Sequence, residues 1–353
     1  FSEEGAAGAE LERQLAEIAN RHGASLIGPN CIGVLTPHYN GVFTTPIPPP
    51  VPGGCDLISG SGATAVFIME SGLKKGLAFS RVFSVGNGAQ NGVEEVLEYL
   101  DLTWSPDSPD SRSPKLLYIE GIRNPQKLLH HARSLVEKGC PVAAVKAGSS
   151  DAGSRAATSH TGALADSDVA VDALFRKAGI VRCYSREELT TMAAVFSLPR
   201  PRGKRIAVIT HAGGPAVMLT DALSAGGLDV PQLSGPAADR LKERLFPGSS
   251  VANPIDFLAT GTAEQLGTII DACETDFDTV DAMVVIFGSP GLVPVDQAYD
   301  VLSDRMNRCT KPIYPVLPSV VNAAGEMEEF VQKGYPFFPD EVALGRALAA
   351  VTA

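Results

Sequence analysis

Between residues 10 and 22 (ELERQLAEIANRH) apolar positions recur at helical spacing and place Leu11, Leu15, Ile18 and Ala19 on one face. Gly23 is the expected C-cap. ASLIGPN (24–30) reads as a short buried strand running into a turn. The first 35 residues therefore read as the last αβ unit of a larger α/β domain whose start lies outside this sequence. The chain opens on Phe1 within a polar, helix-like stretch, so truncation or processing is expected. TPIPPPVPGG (45–54) holds five prolines and two glycines and reads as a semi-rigid linker.

After the linker the pattern restarts. CDLIS (55–59) is strand-like, GSG a tight turn, and ATAVFIMESGLKK (63–75) a helix ending near Gly76. KLLYIE (115–120) predicts a strand, NPQKLLHHARSLVEKG (124–139) a helix and PVAAVKAG (141–148) a strand, with WSPDSPDSRSP (104–114) a polar loop. A second linker, LPRPRGK (198–204), precedes another round. KRIAVIT is a strand, HAGG a turn, PAVMLTDALSAGG a helix, AMVVIFGSP a strand, VDQAYDVLSDRMNRC a helix and KPIYPVLPS a strand. Alternating strands and helices imply parallel sheets covered by helices on both faces. The two rounds can be laid over each other. GSG at 60–62 matches AGG at 212–214, LLYIEG at 116–121 matches MVVIFG at 283–288, and CPVAAV at 140–145 matches KPIYPV at 311–316. This is an internal duplication of about 150 residues, far longer than a solenoid period.

The 353 residues, 44% hydrophobic and 20% charged, are a globular composition that excludes a wholly disordered chain. A net charge of −11 argues against non-specific nucleic-acid binding, but leaves room for an anion held by backbone amides. The six cysteines at 31, 55, 140, 183, 273 and 309 contain no CxxC pair and read as reduced thiols of a cytoplasmic protein. No apolar run reaches the roughly 18 residues of a membrane span, and no signal peptide is visible. HExxH, EF-hand and GxSxG patterns are missing, and His130 and His131, adjacent in sequence, read as helix surface, so no metal is expected.

Four features carry candidate chemistry. Ser61, Gly62, Ala63 and Thr64 open a helix directly after a strand, where the free helix amides and the dipole favour an anion. An ordinary tight βα turn has the same pattern. Gly213 and Gly214, with Pro215 suited to a first helical turn, repeat the arrangement in the second round. His160 sits among small residues from Ala147 to Ala165. It reads as a nucleophile that accepts and passes on a phosphoryl group, or as a surface-loop histidine beside capping candidates Ser159, Thr161 and Asp166. Glu120 ends a strand, where it orients an imidazole or is simply solvated. His211 lies in the second glycine turn.

At these residues the sequence resembles the α subunit of the NDP-forming acyl-CoA synthetases, relatives of succinyl-CoA synthetase and ATP-citrate lyase. GPNCIG (28–33), SGSGATA (59–65), YIEGI (118–122), KAGSSDAGSRAATSHTGALA (146–165), ITHAGGPAV (209–217) and NPIDFLATGT (253–262) carry the resemblance, in order, over nearly the whole chain. It implies tandem flavodoxin-like, doubly wound domains: the C-terminal part of a Rossmann-like CoA-binding domain with linker at 1–50, a first ligase domain at 51–200 and a second at 201–353. It implies that His160 is transiently phosphorylated, that Glu120 hydrogen-bonds and stabilises it, and that the helices at Ser61–Thr64 and Gly213–Gly214 bind phosphate. It places Asn30 and Cys31 near the thiol end of coenzyme A, a substrate. ATP or ADP and Mg2+ would come with an ATP-grasp β subunit or fused domain, in a larger oligomeric assembly. The implied alternative is a regulatory scaffold of a protein acyltransferase that senses CoA or an acyl ligand without phosphoryl transfer.

Overall fold

The first helix, α1, covers Ala6–Arg21, starting four residues before the predicted 10–22 stretch and ending one residue before its end. Its buried positions are Gly8 and Glu12, whereas Leu11, Leu15 and Ile18 are exposed. The apolar face expected to be covered is thus the open one, and a carboxylate anchors the helix instead: Glu12 Oε1 accepts from Asn87 Nδ2 at 2.7 Å. The computed structural model describes residues 1–153, 155, 167–289, 291 and 294–352. They fall into two compact units, Phe1–Ala193 and Ala194–Ala353.

ASLIGPN does not form the predicted strand; one isolated bridge joins Ile27 to Asn91. Gly28 (φ 96°) and Asn30 (φ 57°) turn the backbone out of the extended region, so no ladder can continue. The first unit's sheet instead begins with β1 (Val34–Thr36) and β2 (Tyr39–Asn40), an antiparallel pair. β3 (Cys55–Ser59) is buried along its whole length, and α2 (Gly62–Lys74) follows. Next come β4 (Phe79–Ser84), α3 (Val93–Leu102), β5 (Lys115–Ile119), α4 (Pro125–Glu137) and β6 (Val142–Lys146). α5 (Asp168–Ala178), β7 (Ile180–Cys183) and α6 (Arg186–Ser197) complete the series.

The strand order is β2-β1-β4-β3-β5-β6-β7, parallel from β4 to β7. Counted from β3, the parallel part runs 2-1-3-4-5, the flavodoxin-like order. One face packs Ile58, Leu117, Ile119 and Val142 against Leu97, Leu128 and Phe175 of α3, α4 and α5. On the other side α2 and α6 are tied by Lys75 Nζ, which donates to Glu187 Oε2 at 2.6 Å and Thr190 Oγ1 at 2.8 Å.

The second unit runs β8 (Ile206–Thr210), α7 (Gly213–Ala225), α8 (Pro236–Glu243), β9 (Ile255–Asp256), α9 (Ala263–Thr275) and β10 (Ala282–Ile286). α10 (Asp296–Arg308), β11 (Ile313–Val316), α11 (Ala324–Gln332) and α12 (Glu341–Thr352) follow. Its parallel sheet is ordered β11-β10-β8-β9, again 2-1-3-4 from the first strand, and Phe338 adds a parallel bridge outside β11. The duplication read from the sequence is therefore a duplication of topology. The match of CPVAAV with KPIYPV holds, but the other two move by one: Lys115 N donates to Pro141 O as Met283 N does to Pro312 O, so LLYIEG at 116–121 pairs with VVIFGS at 284–289. Ser61 and Ala212 are the two N-caps, so GSG at 60–62 pairs with HAG at 211–213. Among the described residues no helix is long and apolar enough to cross a membrane.

Candidate active site

In an open α/β sheet the strands feed loops to both sides at the switch point, which opens a crevice at their carboxyl ends. In the first unit that point lies between β3 and β5. Ser59 closes β3 by a local turn: its Oγ donates to Ser61 O at 2.7 Å and accepts from Ser61 N at 3.2 Å. Ser61 then caps α2, its Oγ accepting from Thr64 N at 3.3 Å. Gly60 N donates to Tyr118 O at 2.9 Å, which holds the turn against the end of β5, where Glu120 emerges.

A cavity of about 490 Å³ occupies this crevice, and its walls include Asn30, Cys31, Ser61, Gly62, Ala63 and Glu120. Six candidate residues separated by up to 90 positions in sequence thus share one space. Gly62 is needed for the close approach of the Asn30–Cys31 segment, since a Cβ there would lie 2.7 Å from Ile32 Cγ2. Thr64 is not part of that wall; its side chain bonds the Tyr118 phenol. Burial pushes the Tyr118 hydroxyl up, the Glu120 charge adds to this, and the Thr64 bond opposes it. Phe43, 76% exposed, stands at the rim. Among the described residues no wall residue is cationic, so affinity for an anion would come from the helix amides and dipole. A second cavity of about 720 Å³ lies beside the first and shares Gly60, Asn87 and Glu120 with it. Tyr118 and Asn87 are site residues to which no motif of the sequence assigns a chemistry. The GNG at 86–88, a flexible turn after an apolar run, was the signal for Asn87. His160, with the capping candidates around it, lies outside the described residues.

The second unit repeats the turn with different chemistry. Thr210 Oγ1 donates to Ala212 O and accepts from Ala212 N, both at 2.9 Å, and Gly213 and Gly214 open α7 exposed. By strand register Gly288 takes the place of Glu120, Phe287 that of Ile119, and His211 that of Gly60. His211 is buried, stacks on Phe287 at 4.5 Å, and its Nε2 accepts from Gly288 N at 2.9 Å. Burial holds its pKa below the ordinary value, against the pull of Asp256, so the ring is neutral with its proton on Nδ1. Asp256 stands at the mouth of α7: a Cβ on Gly213 would lie 3.2 Å from Asp256 Oδ2.

His131 is not helix surface. It is buried, and its Nδ1 lies 2.8 Å from Asp101 Oδ2. Among the described residues Asp101, His130 and His131 form the group with metal-like spacing. Lys138 Nζ donates to Asp101 Oδ1 at 2.6 Å and Ser134 Oγ to the same atom at 2.7 Å, which makes this an ion-paired staple between α3 and α4.

The order of the strands and the crevice they form define a doubly wound α/β protein of flavodoxin-like type, duplicated in tandem. Residues 52–196 match the succinyl-CoA ligase like flavodoxin domain. The chain is 31% identical to the α subunit of acetate–CoA ligase (ADP-forming) I of Pyrococcus furiosus, covering 99% of this chain and 75% of that subunit. It belongs to the family of ADP-forming acetate–CoA ligase α subunits. It is 34% identical to the form II α subunit of the same organism, over 86% of this chain, and spans 65% of that subunit. It is 35% identical to the Archaeoglobus fulgidus acetate–CoA ligase (ADP-forming) I, of which it spans 40%. A solved acetyl-coenzyme A synthetase 1 of Ca. Korarchaeum cryptofilum, in complex with phosphate and ADP, has the same fold: TM-score 0.87 at 24% identity over 99% of this chain.

Proposed function

We propose that this chain is the phosphohistidine-bearing part of an NDP-forming acyl-CoA synthetase, which interconverts acyl-CoA, phosphate and a nucleoside diphosphate with carboxylate, CoA and a nucleoside triphosphate. The observation that supports it best is the shared cavity, where the Glu120 carboxylate, the open amides of α2 and the Asn30–Cys31 turn meet.

Each group has a role in that reaction. A phosphate oxygen attacks the thioester carbonyl, and the CoA thiolate leaves past Asn30 and Cys31. The acyl phosphate then gives its phosphoryl group to one nitrogen of His160, and the carboxylate departs. Glu120 accepts a hydrogen bond from the other imidazole nitrogen and so directs the attacking lone pair. A phosphohistidine carries about two negative charges. At the Ser61–Thr64 turn the free amides of Gly62 and Ala63, with the α2 dipole behind them, offset them; Gly213 and Gly214 form the equivalent phosphate-binding turn of the second unit. The phosphoryl group finally passes to ADP or GDP on an ATP-grasp β subunit or fused domain, which also supplies Mg2+. The assembly works in the cytoplasm on a small carboxylic acid.

The test is phosphorylation of the complete chain by its ATP-grasp partner, with γ-labelled ATP and Mg2+. The expected label is acid-labile, alkali-stable and absent from His160→Ala. Glu120→Gln should lower the labelling rate by about 10²-fold or more, the scale of a lost general-acid/base or orienting contact. An unlabelled wild type beside a demonstrably active partner would overturn the reading in favour of the regulatory acyltransferase scaffold.

A further inference from the structure

The loop after β4 is held more tightly than a surface turn requires. Gly86 (φ 54°) and Gly88 (φ 58°) flank Asn87. A Cβ on Gly86 would lie 2.2 Å from Pro29 O and 2.4 Å from Asn30 O, so the two loops cross in backbone contact and only glycine fits between them. Asn87 N donates to Pro29 O at 3.0 Å, and Ala89 N to Gly28 O at 2.9 Å. From below, Val85 N donates to Ser59 O at 2.8 Å, which links this loop to the strand carrying the Ser61 turn. From the side, the Arg123 guanidinium clamps the carbonyls of Asn87 and Gly88. The Asn87 side chain extends the same pattern. Its Oδ1 accepts from Asn30 Nδ2 at 3.4 Å, and its Nδ2 donates to Glu12 Oε1 at 2.7 Å. Asn87 is also one of three residues that border both cavities, together with Gly60 and Glu120.

We propose that Asn87, presented by the Gly86–Asn87–Gly88 turn, is a positioning residue that sets the Asn30–Cys31 turn against the crevice and so determines how well the thiol end of coenzyme A is held. This rests on the synthetase reading for the identity of the ligand. Asn87 acts through Asn30. The left-handed turn fixes where its amide points, and Gly86 removes the one methyl group that would lift the Asn30 backbone off the sheet edge. A side chain that only shaped the fold would change how much protein is active. A side chain that seats a ligand-facing turn changes affinity.

The experiment is steady-state kinetics of the complete chain with its ATP-grasp partner in the direction that consumes CoA, with acetate and ATP saturating and CoA varied. Asn87→Ala should raise the KM for CoA about tenfold, the scale of one lost positioning hydrogen bond plus a misplaced contact, while kcat stays within about threefold. Gly86→Ala should raise the same KM by more. In an Asn30→Ala background, Asn87→Ala should add nothing further, since it acts through a group already removed. An unchanged KM for Asn87→Ala, or a loss of kcat in step with a lowered Tm, would overturn the proposal, as would additive effects in the double variant. Should Gly86→Ala fail to fold, the Asn30/Asn87 cycle decides alone. Phosphate labelling of wild-type His160, run beside it, separates the two readings. Label with an unchanged variant KM removes only the positioning role, and no label with no turnover removes both.

Discussion

Asp56, the second residue of β3, has no exposed surface, and Lys115 Nζ meets its Oδ2 at 2.7 Å from the first residue of β5. Burial raises the Asp56 pKa while Lys115 and Arg81 pull it down. Removing one partner leaves the other charged and dehydrated. Lys115→Met should therefore cost about 3–5 kcal/mol, and Asp56→Leu with Lys115→Met should recover most of it, measured by urea unfolding. Asp101 makes a pH-dependent contribution of opposite sense. Burial alone raises its pKa, but hydrogen bonds from Lys138, Ser134 and His131 outweigh this and hold it below the usual 3.8. A depressed carboxylate stabilises the fold above its unfolded pKa and ceases to do so as pH falls through the folded one. The stability of the native chain should thus drop more steeply below about pH 4 than that of Asp101→Asn, as acid titration of the unfolding midpoint would show.

At the scale of elements, the same polar turn closes the first strand of each unit. Ser59 and Thr210 each bond both backbone groups of the residue two positions on, and so fix where α2 and α7 start. Ser59→Ala and Thr210→Ala should each destabilise their unit by about 1 kcal/mol, a typical net hydrogen bond, with similar size in both. The elements most legible in the sequence are the strands buried on both faces, since β5, β6, β8 and β10 have near-continuous apolar runs. β4 is harder to see. FSRVFS carries Arg81, which is admitted to the sheet because Asp110, in the loop after α3, accepts from it at 2.8 Å. That partner is 29 residues away, and no local pattern announces it.

Across the whole molecule, each unit holds a buried apolar cluster, one around Ile58, Leu117 and Phe175 and one around Ile209, Phe257 and Tyr299. The chain's single tryptophan, Trp104, lies in the first unit, anchored by its indole to Ser111 O at 2.9 Å. Lys115→Met should therefore move the fluorescence transition to lower urea.

What the sequence determined alone is the alternation of buried strands and helices, its duplication, and the motifs that mark Glu120, Ser61–Thr64, Gly213–Gly214 and Asn30–Cys31. These are local signals, because periodicity, caps and glycine turns depend on neighbours a few residues away. The tertiary structure decided the rest. It gathered Asn30, Ser61 and Glu120 around one cavity through strand order, buried His131 against Asp101, left the apolar face of α1 open, and set Asn87 beside Asn30. Each of these depends on which strands become neighbours, and that choice is made by long-range burial and pairing, which no window of the chain contains.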